Sequence, residues 1–268
     1  MKKFDVSRIR KTILDMAYSG ATVHIGCAFS IVELIAVLYR KHLRLEINNP
    51  DSPTRDYMVL SKGHGVMAQY ACLHELGWVS DQDIALYFQN GTRLKGLADA
   101  HIPGVEVTTG SLGHGLSVAT GLALAAKLNK TDQTCYALVG DGELNEGAIW
   151  EAALFATHFK LDNLIVIVDK NGFQAMGSTD EVMALGNIEQ KFIAFGFDAV
   201  SINGHDESAI DAAYASLKMK LNGKPKVIVG TTVKGKGVSF MEHNNIWHYT
   251  RLNAETYSAA IMELGLRL

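Results

Sequence analysis

Two oxygen-bearing side chains, Asp141 and Asn171, stand thirty positions apart, each shortly after an apolar run. Residues 135–139 and 164–168 have the length and composition of buried strands. Residues 146–159 between them are rich in alanine and predict a helix. A helix of about fourteen residues spans roughly 20 Å, close to the length of a strand, so the three segments form one βαβ unit. This unit predicts that Asp141 and Asn171 meet at the carboxyl edge of a parallel sheet.

That edge is where open α/β sheets bind ligands. A carboxylate, an amide oxygen and a free main-chain carbonyl are the hard ligands that Mg²⁺ prefers, and phosphate oxygens with water complete its octahedron. Gly140 and Gly142 let the backbone turn tightly and approach a diphosphate closely. The N-terminus of the following helix directs partial positive charge to the same place. The pattern therefore predicts a site for a divalent cation and a diphosphate.

Three other interpretations of the glycine-rich segments compete with this one. A dinucleotide fingerprint requires Gly-x-Gly-x-x-Gly, and Asn145 stands where its third glycine belongs. For Gly-Asp-Gly alone, a turn without function is the default interpretation. Asn171 and the βαβ pattern together favour the ligand site over that turn. Residues 230–237 fall one residue short of a P-loop, because Gly237 replaces the Ser or Thr that would hold Mg²⁺. We interpret that segment as a strand followed by a flexible basic loop.

Gly-Asp-Gly at 140–142, followed by asparagine about thirty residues on, resembles the motif that binds thiamine diphosphate (ThDP) and Mg²⁺. The interior of the segment, at 146–147 and 150–152, resembles transketolases specifically. The resemblance extends over essentially the whole chain and covers only the N-terminal, diphosphate-binding domain of that family. It implies an α/β fold, a parallel-sheet ThDP-binding fold with helices on both faces, as a single domain over residues 1–268. Further apolar runs at 57–60, 197–202 and 226–232 predict the additional strands.

The resemblance also implies which residues bind the cofactor and the metal. The residues that would bind the cofactor are His64, Gly110, Ser111, Leu112, Gly140, Asp141, Gly142, Glu143 and Asn171. The metal would be held by Asp141, Asn171 and the main-chain carbonyl of Phe173.

Histidines suit proton exchange with sugar hydroxyls at neutral pH, because their unperturbed pKa is about 6.5. His24 lies in a segment that resembles the part of transketolases in which a histidine faces the cofactor cleft, although a surface loop histidine is the simpler alternative. His64 lies in a glycine-flanked turn after the predicted strand at 57–60, and it matches the family's Ser-Lys-Gly-His. Both are candidate catalytic residues.

One stretch departs from the family pattern. Transketolases commonly carry Gly-His-Pro where this chain has Gly96, Leu97 and Ala98, and His101 follows four residues after Leu97. His101 either takes over the catalytic role by a loop shift or is an unrelated loop histidine.

A later loop, residues 242–248, resembles the family segment that brings a further histidine to the active site. Asn245 falls where that histidine is expected, which leaves His243 or His248 to serve, and His248 is included among the catalytic candidates. By resemblance, Glu146 and Glu151 belong to an acidic network that links two cofactors across a dimer interface, and Glu146 is included among the catalytic candidates. Their simpler interpretations are a charge at a helix N-terminus and an exposed helix face, respectively.

Composition excludes several classes of protein. The 268 residues are 48% hydrophobic, which is enough for a substantial core. Lys and Arg number 25 against 28 Asp and Glu, so nothing indicates a nucleic-acid surface. No apolar run approaches the ~18 residues of a membrane span, and the N-terminus has no signal-like apolar stretch. Three cysteines without metal-type spacing predict reduced core thiols. We expect a cytoplasmic protein.

The resemblance implies a cofactor-dependent reaction in which ThDP supplies a carbon nucleophile for the ketose carbonyl and an electron sink for cleavage of the adjacent carbon–carbon bond. In the family, a glutamate of the second, pyrimidine-binding domain protonates the cofactor ring, and this chain stops before that domain. We therefore expect the N-terminal subunit of a split transketolase, which moves a two-carbon ketol unit between sugar phosphates. A separate C-terminal subunit would complete each site, in an α₂β₂ heterotetramer.

Two alternatives remain open at this point. One is a subunit of another ThDP enzyme, a 2-oxo acid dehydrogenase or a deoxyxylulose-phosphate-synthase-like protein, but His24, the turn at 61–64 and Trp150 with Glu151 favour transketolase. The other is a regulatory remnant without catalysis, against which the intact pair of metal ligands argues.

Overall fold

A single twisted sheet organises the part of the chain that the computed structural model describes, residues 3–20 and 22–266. Within those residues it has five strands, all parallel, in the order β1-β2-β3-β5-β4. The strands are β1 (Tyr57–Leu60), β2 (Cys135–Gly140), β3 (Leu164–Lys170), β4 (Asp198–Asn203) and β5 (Lys226–Thr231). The predicted parallel α/β sheet is confirmed.

Helices precede, connect and follow these strands. They are α1 (Val6–Ser19), α2 (Gly26–Phe29), α3 (Val32–Val37), α4 (Val66–Leu76), α5 (Asp81–Ala85), α6 (His114–Leu128), α7 (Gly147–His158), α8 (Thr179–Met183), α9 (Ile188–Ala194), α10 (Glu207–Lys218) and α11 (Ala254–Glu263). Short 3₁₀ turns cover Gly63–Gly65, Gly142–Asn145 and Asn245–His248, and a π-helical turn covers Leu38–His42. Across the described ranges every helix is too short or too polar to span a bilayer.

Alternate residues of each strand enter two separate cores, one on each face of the sheet. In β2, Tyr136 and Leu138 pack with α1, α3, α4 and α10, whereas Ala137 and Val139 pack with α6, α7 and α9. β3 alternates in the same way. Because successive side chains of a strand point to opposite faces, this near-continuous apolar sequence is what a sheet covered by helices on both sides requires.

Two helical segments differ from the sequence-based prediction. The helix expected over about 30–43 is divided into α3 and a π-helical turn, in which the N–H of Leu43 donates to the carbonyl of Leu38 five residues back. Hydrophobic periodicity does not report such a change of pitch. Helix α8 is absent from the prediction, although Ser178 and Glu181 form a capping box at its start.

The strand register brings the two chemically important loops together. Gly140 at the end of β2 pairs with Asp169 near the end of β3, so Asp141 and Asn171 follow at the same edge. The amide of Asp141 also donates to the carbonyl of Asp169 at 3.1 Å. The predicted meeting of the two loops is therefore a direct consequence of parallel pairing.

The packing of α6 against the turn after β1 can be tested with two glycines of that helix. A Cβ at Gly115 would lie 2.6 Å from the Cα of Ser61, whereas one at Gly121 would have no atom within 4 Å among the described residues, apart from its chain neighbours and the backbone of its own helix. We expect Gly121→Ala to stabilise the fold by about 0.5–1 kcal/mol, because alanine is the better helix former. Gly115→Ala should destabilise it by about 1–3 kcal/mol, because Ser61 must move. Denaturant unfolding measures both, and equal stability of the two variants would contradict the close approach.

Candidate functional site

A cavity of about 580 Å³ opens at the carboxyl edge of the sheet, where the loops after β1, β2, β3 and β5 converge. We call it the cleft. Most of the site residues predicted from the sequence line it: His24, His64, Gly110, Leu112, Gly140, Asp141, Gly142, Glu143, Glu146, Asn171, Phe173 and His248. Ligand binding at this edge is the general behaviour of open parallel sheets.

Asp141 ties the two central loops together. Its Oδ1 accepts the N–H of Gly142 at 2.8 Å, and its Oδ2 accepts the N–H of Gly172 at 2.6 Å. Burial of the carboxyl, with the nearby charge of Asp169, raises the pKa of Asp141 to about 7. The carboxylate is therefore a buried negative charge without a full counter-charge, which is the condition that a bound cation would relieve.

The orientation of the Asn171 amide follows from its neighbours. Its Nδ2 donates to Oδ2 of Asp169 at 2.9 Å, and its Oδ1 accepts the N–H of Phe173 at 3.0 Å. An ionised carboxylate only accepts hydrogen bonds, so the NH₂ group must face Asp169. Burial alone would raise the pKa of Asp169, but the Lys62 ammonium lowers it below its usual value and keeps the group ionised.

These donors fit a hard divalent cation. They comprise one buried carboxylate, one amide oxygen with a fixed orientation and the carbonyl of Phe173 in the adjoining loop. All are oxygen ligands, and the lining glycines leave room for phosphate oxygens to complete the set.

Three histidines from distant parts of the chain form a cluster in the cleft. The ring centroids lie 5.2 Å apart for His24 and His64, 5.4 Å for His24 and His248, and 5.7 Å for His64 and His248. Burial, reinforced by the Lys234 and Lys62 ammonium groups, lowers the pKa of His24 to about 4 and that of His248 to about 3. Burial lowers the pKa of His64 well below its usual value as well. At neutral pH all three rings are uncharged, and each offers one N–H donor and one acceptor nitrogen.

Two buried lysines in the cleft are missing from the candidates that the sequence suggested. The Nζ of Lys62 bonds to Asp169 and donates to the carbonyl of Cys27 at 3.1 Å. The Nζ of Lys234 lies 5.6 Å from the centroid of the Phe173 ring, and burial lowers the pKa of Lys234 to about 8. The sequence signals were present, since Lys62 lies in the Ser-Lys-Gly-His turn and Lys234 in the near P-loop.

The basic loop that contains Lys234 differs from its sequence-based interpretation. Lys234 is only 1% exposed, and the next N–H, of Gly235, donates to the carbonyl of Gly26 at 3.0 Å. The segment is a packed element of the site and not a flexible basic loop.

Glu143 holds the loops of the cleft together. Its Oε1 accepts from the N–H of Gly113 at 2.8 Å and from the hydroxyl of Ser61, and its Oε2 accepts the N–H of Gly140 at 3.1 Å. The carboxyl is buried, and this burial raises its pKa. Although Glu143 lines the cleft, its oxygens join three separate loops, a role that no local pattern indicates.

The remaining predicted residues lie elsewhere. His101 is an exposed loop residue, with its side chain 91% accessible and its Nδ1 2.6 Å from Oδ1 of Asp99. His243 and Ser111 are also exposed and do not line the cleft, and Glu151 lies on the exposed face of α7. Of the alternatives that the sequence left open, His248 is the one beside His24 and His64. The catalytic role expected of His101 has no support from contacts within the described part of this chain.

Comparison with known proteins agrees with this arrangement. The family model "Transketolase, thiamine diphosphate binding domain" matches residues 1–267. One of the subunits of apulose-4-phosphate transketolase from Phocaeicola vulgatus is 39% identical over 259 residues, which are 97% of this chain and 92% of that protein. The 6-deoxy-6-sulfo-D-fructose transketolase subunit SqwG of a Clostridium species is 40% identical over 257 residues, covering 96% of this chain and 93% of that protein.

Solved structures show the same fold within longer chains. The transketolase from Leishmania mexicana superposes with a TM-score of 0.91 at 34% identity, over 97% of this chain and 41% of that one. The transketolase from Campylobacter jejuni gives a TM-score of 0.91 at 31% identity, over 99% of this chain and 42% of that one. The chain thus spans about two fifths of the length of these transketolases.

The raised pKa of Asp141 predicts a pH dependence of the stability of the fold, which the Asp141→Asn variant should lack. The carboxyl has a pKa of about 7 when folded against a reference value of 3.8, so the metal-free folded state binds an extra proton between those values. Stability of the wild type should therefore fall as pH rises from about 4 to 7, relative to Asp141→Asn, which has no proton to lose. Thermal unfolding of both proteins in chelator at several pH values measures this. A stability difference that does not change with pH would contradict the assignment.

Proposed function

This chain belongs to the transketolase family, in its thiamine diphosphate-binding domain, and we propose that it is the N-terminal subunit of a two-subunit transketolase. The enzyme would transfer a two-carbon ketol unit between sugar phosphates. The observation that carries the proposal is the cleft, in which the oxygen donors Asp141 and Asn171 share one cavity with three uncharged histidines.

The cofactor site follows from those donors. Asp141, Asn171 and the carbonyl of Phe173 would hold Mg²⁺ or another divalent cation, and the cation would bind the diphosphate of ThDP. Gly142 packs closely on Gln174, because a Cβ there would lie 2.7 Å from Cγ of Gln174 and that side chain would have to move. The Lys234 ammonium in the same cleft adds positive charge for an anionic ligand. When bound, ThDP supplies the carbon nucleophile and the electron sink.

The histidine cluster would bind the sugar substrate and exchange protons with it. Uncharged imidazoles donate to a carbonyl oxygen or accept from a hydroxyl, which orients the substrate and exchanges protons with it. The negative charge of a bound diphosphate would raise the lowered pKa values of His24, His64 and His248 back toward neutrality, where proton transfer is most effective.

Two observations support a second polypeptide. The chain covers 92% of a relative that is itself named as one subunit of a transketolase. Near the cleft, Met176 and Met183 line the cavity yet are 80% and 61% exposed, an apolar rim that a partner protein would cover. We propose that the partner is a C-terminal, pyrimidine-binding transketolase subunit, with which this chain forms an α₂β₂ heterotetramer.

A cytoplasmic location completes the proposal. Cys27, Cys72 and Cys135 are free and buried, which supports a reducing compartment.

The decisive experiment is ketol transfer by this chain with the separately produced partner, ThDP and Mg²⁺. The donor panel should contain xylulose 5-phosphate, apulose 4-phosphate and 6-deoxy-6-sulfofructose, with 2-oxo acids as a separate arm. We expect Asp141→Asn to reduce transfer by at least about 100-fold, because it removes a charged metal ligand. Asp132→Asn is the matched control, since that side chain is 85% exposed and pairs with Arg44 at the surface.

Each alternative has its own outcome in this assay. Full transfer by the chain alone would refute the split enzyme, and turnover of 2-oxo acids only would indicate a different ThDP enzyme. Failure to bind ThDP by calorimetry with the partner present would indicate a regulatory remnant.

The proposed assembly has a separate test. Light scattering of the purified pair should give the mass of two copies of each chain. A stable complex with the mass of one copy of each chain would contradict the α₂β₂ arrangement.

A further inference from the structure

Beside the loop that contains Lys234 lies a largely buried group of three residues, Arg10, Glu33 and His205, which we call the triad. The Nη2 of Arg10 donates to both Glu33 oxygens, at 2.7 and 3.0 Å, and Nδ1 of His205 lies 2.9 Å from Oε2 of Glu33. Burial alone would raise the pKa of Glu33, but the hydrogen bond from His205 and the charge of Arg10 lower it, so the carboxyl stays ionised. The triad joins α1, α3 and the loop after β4.

The protonation of His205 follows from its second contact. The main-chain N–H of Val233 donates to Nε2 of His205 at 2.8 Å. A ring nitrogen accepts a hydrogen bond only when it carries no proton, so His205 is uncharged with its proton on Nδ1, where it donates to Glu33. The ring is held in one tautomer and one orientation.

The triad binds the main chain of the basic loop on both sides of Lys234. His205 holds the N–H of Val233, and Nε of Arg10 donates to the carbonyl of Lys236 at 3.0 Å. Lys234 lies between these two anchors, and its side chain enters the cleft. The triad therefore fixes the main chain at Lys234, from which the side chain extends into the cleft.

The ammonium of Lys234 in turn fixes a ring of the histidine cluster. Its Nζ donates to Oδ1 of Asn245 and to Nδ1 of His248, both at 2.7 Å. An ammonium group has only donors, so Nδ1 of His248 must be the acceptor. Uncharged His248 then carries its proton on Nε2, and the N–H that it can offer to a ligand in the cleft is that of Nε2.

We propose that His205 is a positioning residue that acts through Lys234 to hold His248 in the tautomer with its proton on Nε2. The identity of the ligand that meets this N–H, a sugar oxygen, rests on the proposed function. The tautomer itself does not, because only contacts within this chain set it.

A spectroscopic experiment tests the proposal on the full chain. Long-range ¹H–¹⁵N spectra of histidine-labelled protein distinguish the two ring nitrogens, and the spectrum of His248→Gln assigns His248. We expect a proton on Nε2 in the wild type and a mixture of tautomers in His205→Ala. His42→Ala is the matched control, because Nε2 of His42 lies 2.8 Å from Oδ1 of Asp211 in a comparable pair away from the cleft.

The possible results are distinct. An unchanged His248 tautomer in His205→Ala, or a wild type with the proton on Nδ1, would overturn the proposal. An equal change in His42→Ala would also overturn it, since it would reflect general loosening of the fold. If His205→Ala does not fold, His205→Phe replaces it. Its ring fills the space but offers no acceptor to the N–H of Val233, so a mixture of tautomers should again appear, and an unchanged Nε2 tautomer would overturn the proposal.

Kinetics with the partner subunit give an independent measurement. We expect His205→Ala to lower kcat about tenfold in the wild-type background and to have no further effect in Lys234→Met, because the two residues act on one path. Losses that multiply in the double variant would show that His205 does not act through Lys234. If the wild-type pair transfers no ketol unit, the proposed function fails, and the tautomer measurement still decides the role of His205.

Discussion

The site depends on one buried carboxylate, Asp169, which binds four segments of the chain to each other. It accepts hydrogen bonds from Ser30, Lys62, Asn171 and Thr232, each of which comes from a different loop or helix end at the carboxyl edge of the sheet. A fully buried charge is costly unless it is paired and saturated with hydrogen bonds. Asp169 meets that condition only when all four segments are in place. Formation of the fold and assembly of the cleft therefore depend on the same contacts.

The buried carboxylates at this edge of the sheet differ in how fully protein groups compensate their charge. Asp169 and Glu143 use their oxygens on donors of the protein itself, and Glu143 thereby joins the loops after β1 and β2 to the start of α6. Asp141 accepts two main-chain N–H groups and remains short of positive charge, as its raised pKa shows. The charge that the fold leaves uncompensated is therefore that of Asp141, the residue proposed to bind the cation.

The electrostatics of the cleft favour an anionic ligand beside the proposed cation. Lys234 keeps its ammonium in the cleft although burial lowers its pKa, and the histidine cluster is uncharged. A diphosphate would restore the balance by pairing with the metal and the ammonium, and in doing so would return the histidines to a range in which they exchange protons. At the rim of the cleft, Met176 and Met183 expose apolar side chains, the surface that the proposed partner subunit would cover.

Local sequence determined the parallel sheet and the meeting of Asp141 with Asn171, because strand composition, a crossover helix of the right length and parallel pairing act over adjacent segments. His64 was also identifiable, since it lies in a glycine-flanked turn directly after a strand. Only the tertiary structure decided that His248 and not His101 or His243 joins the histidine cluster, and that Lys234 is buried in the cleft. Those outcomes depend on contacts between residues far apart in the chain, and no periodicity or spacing within one segment carries that information.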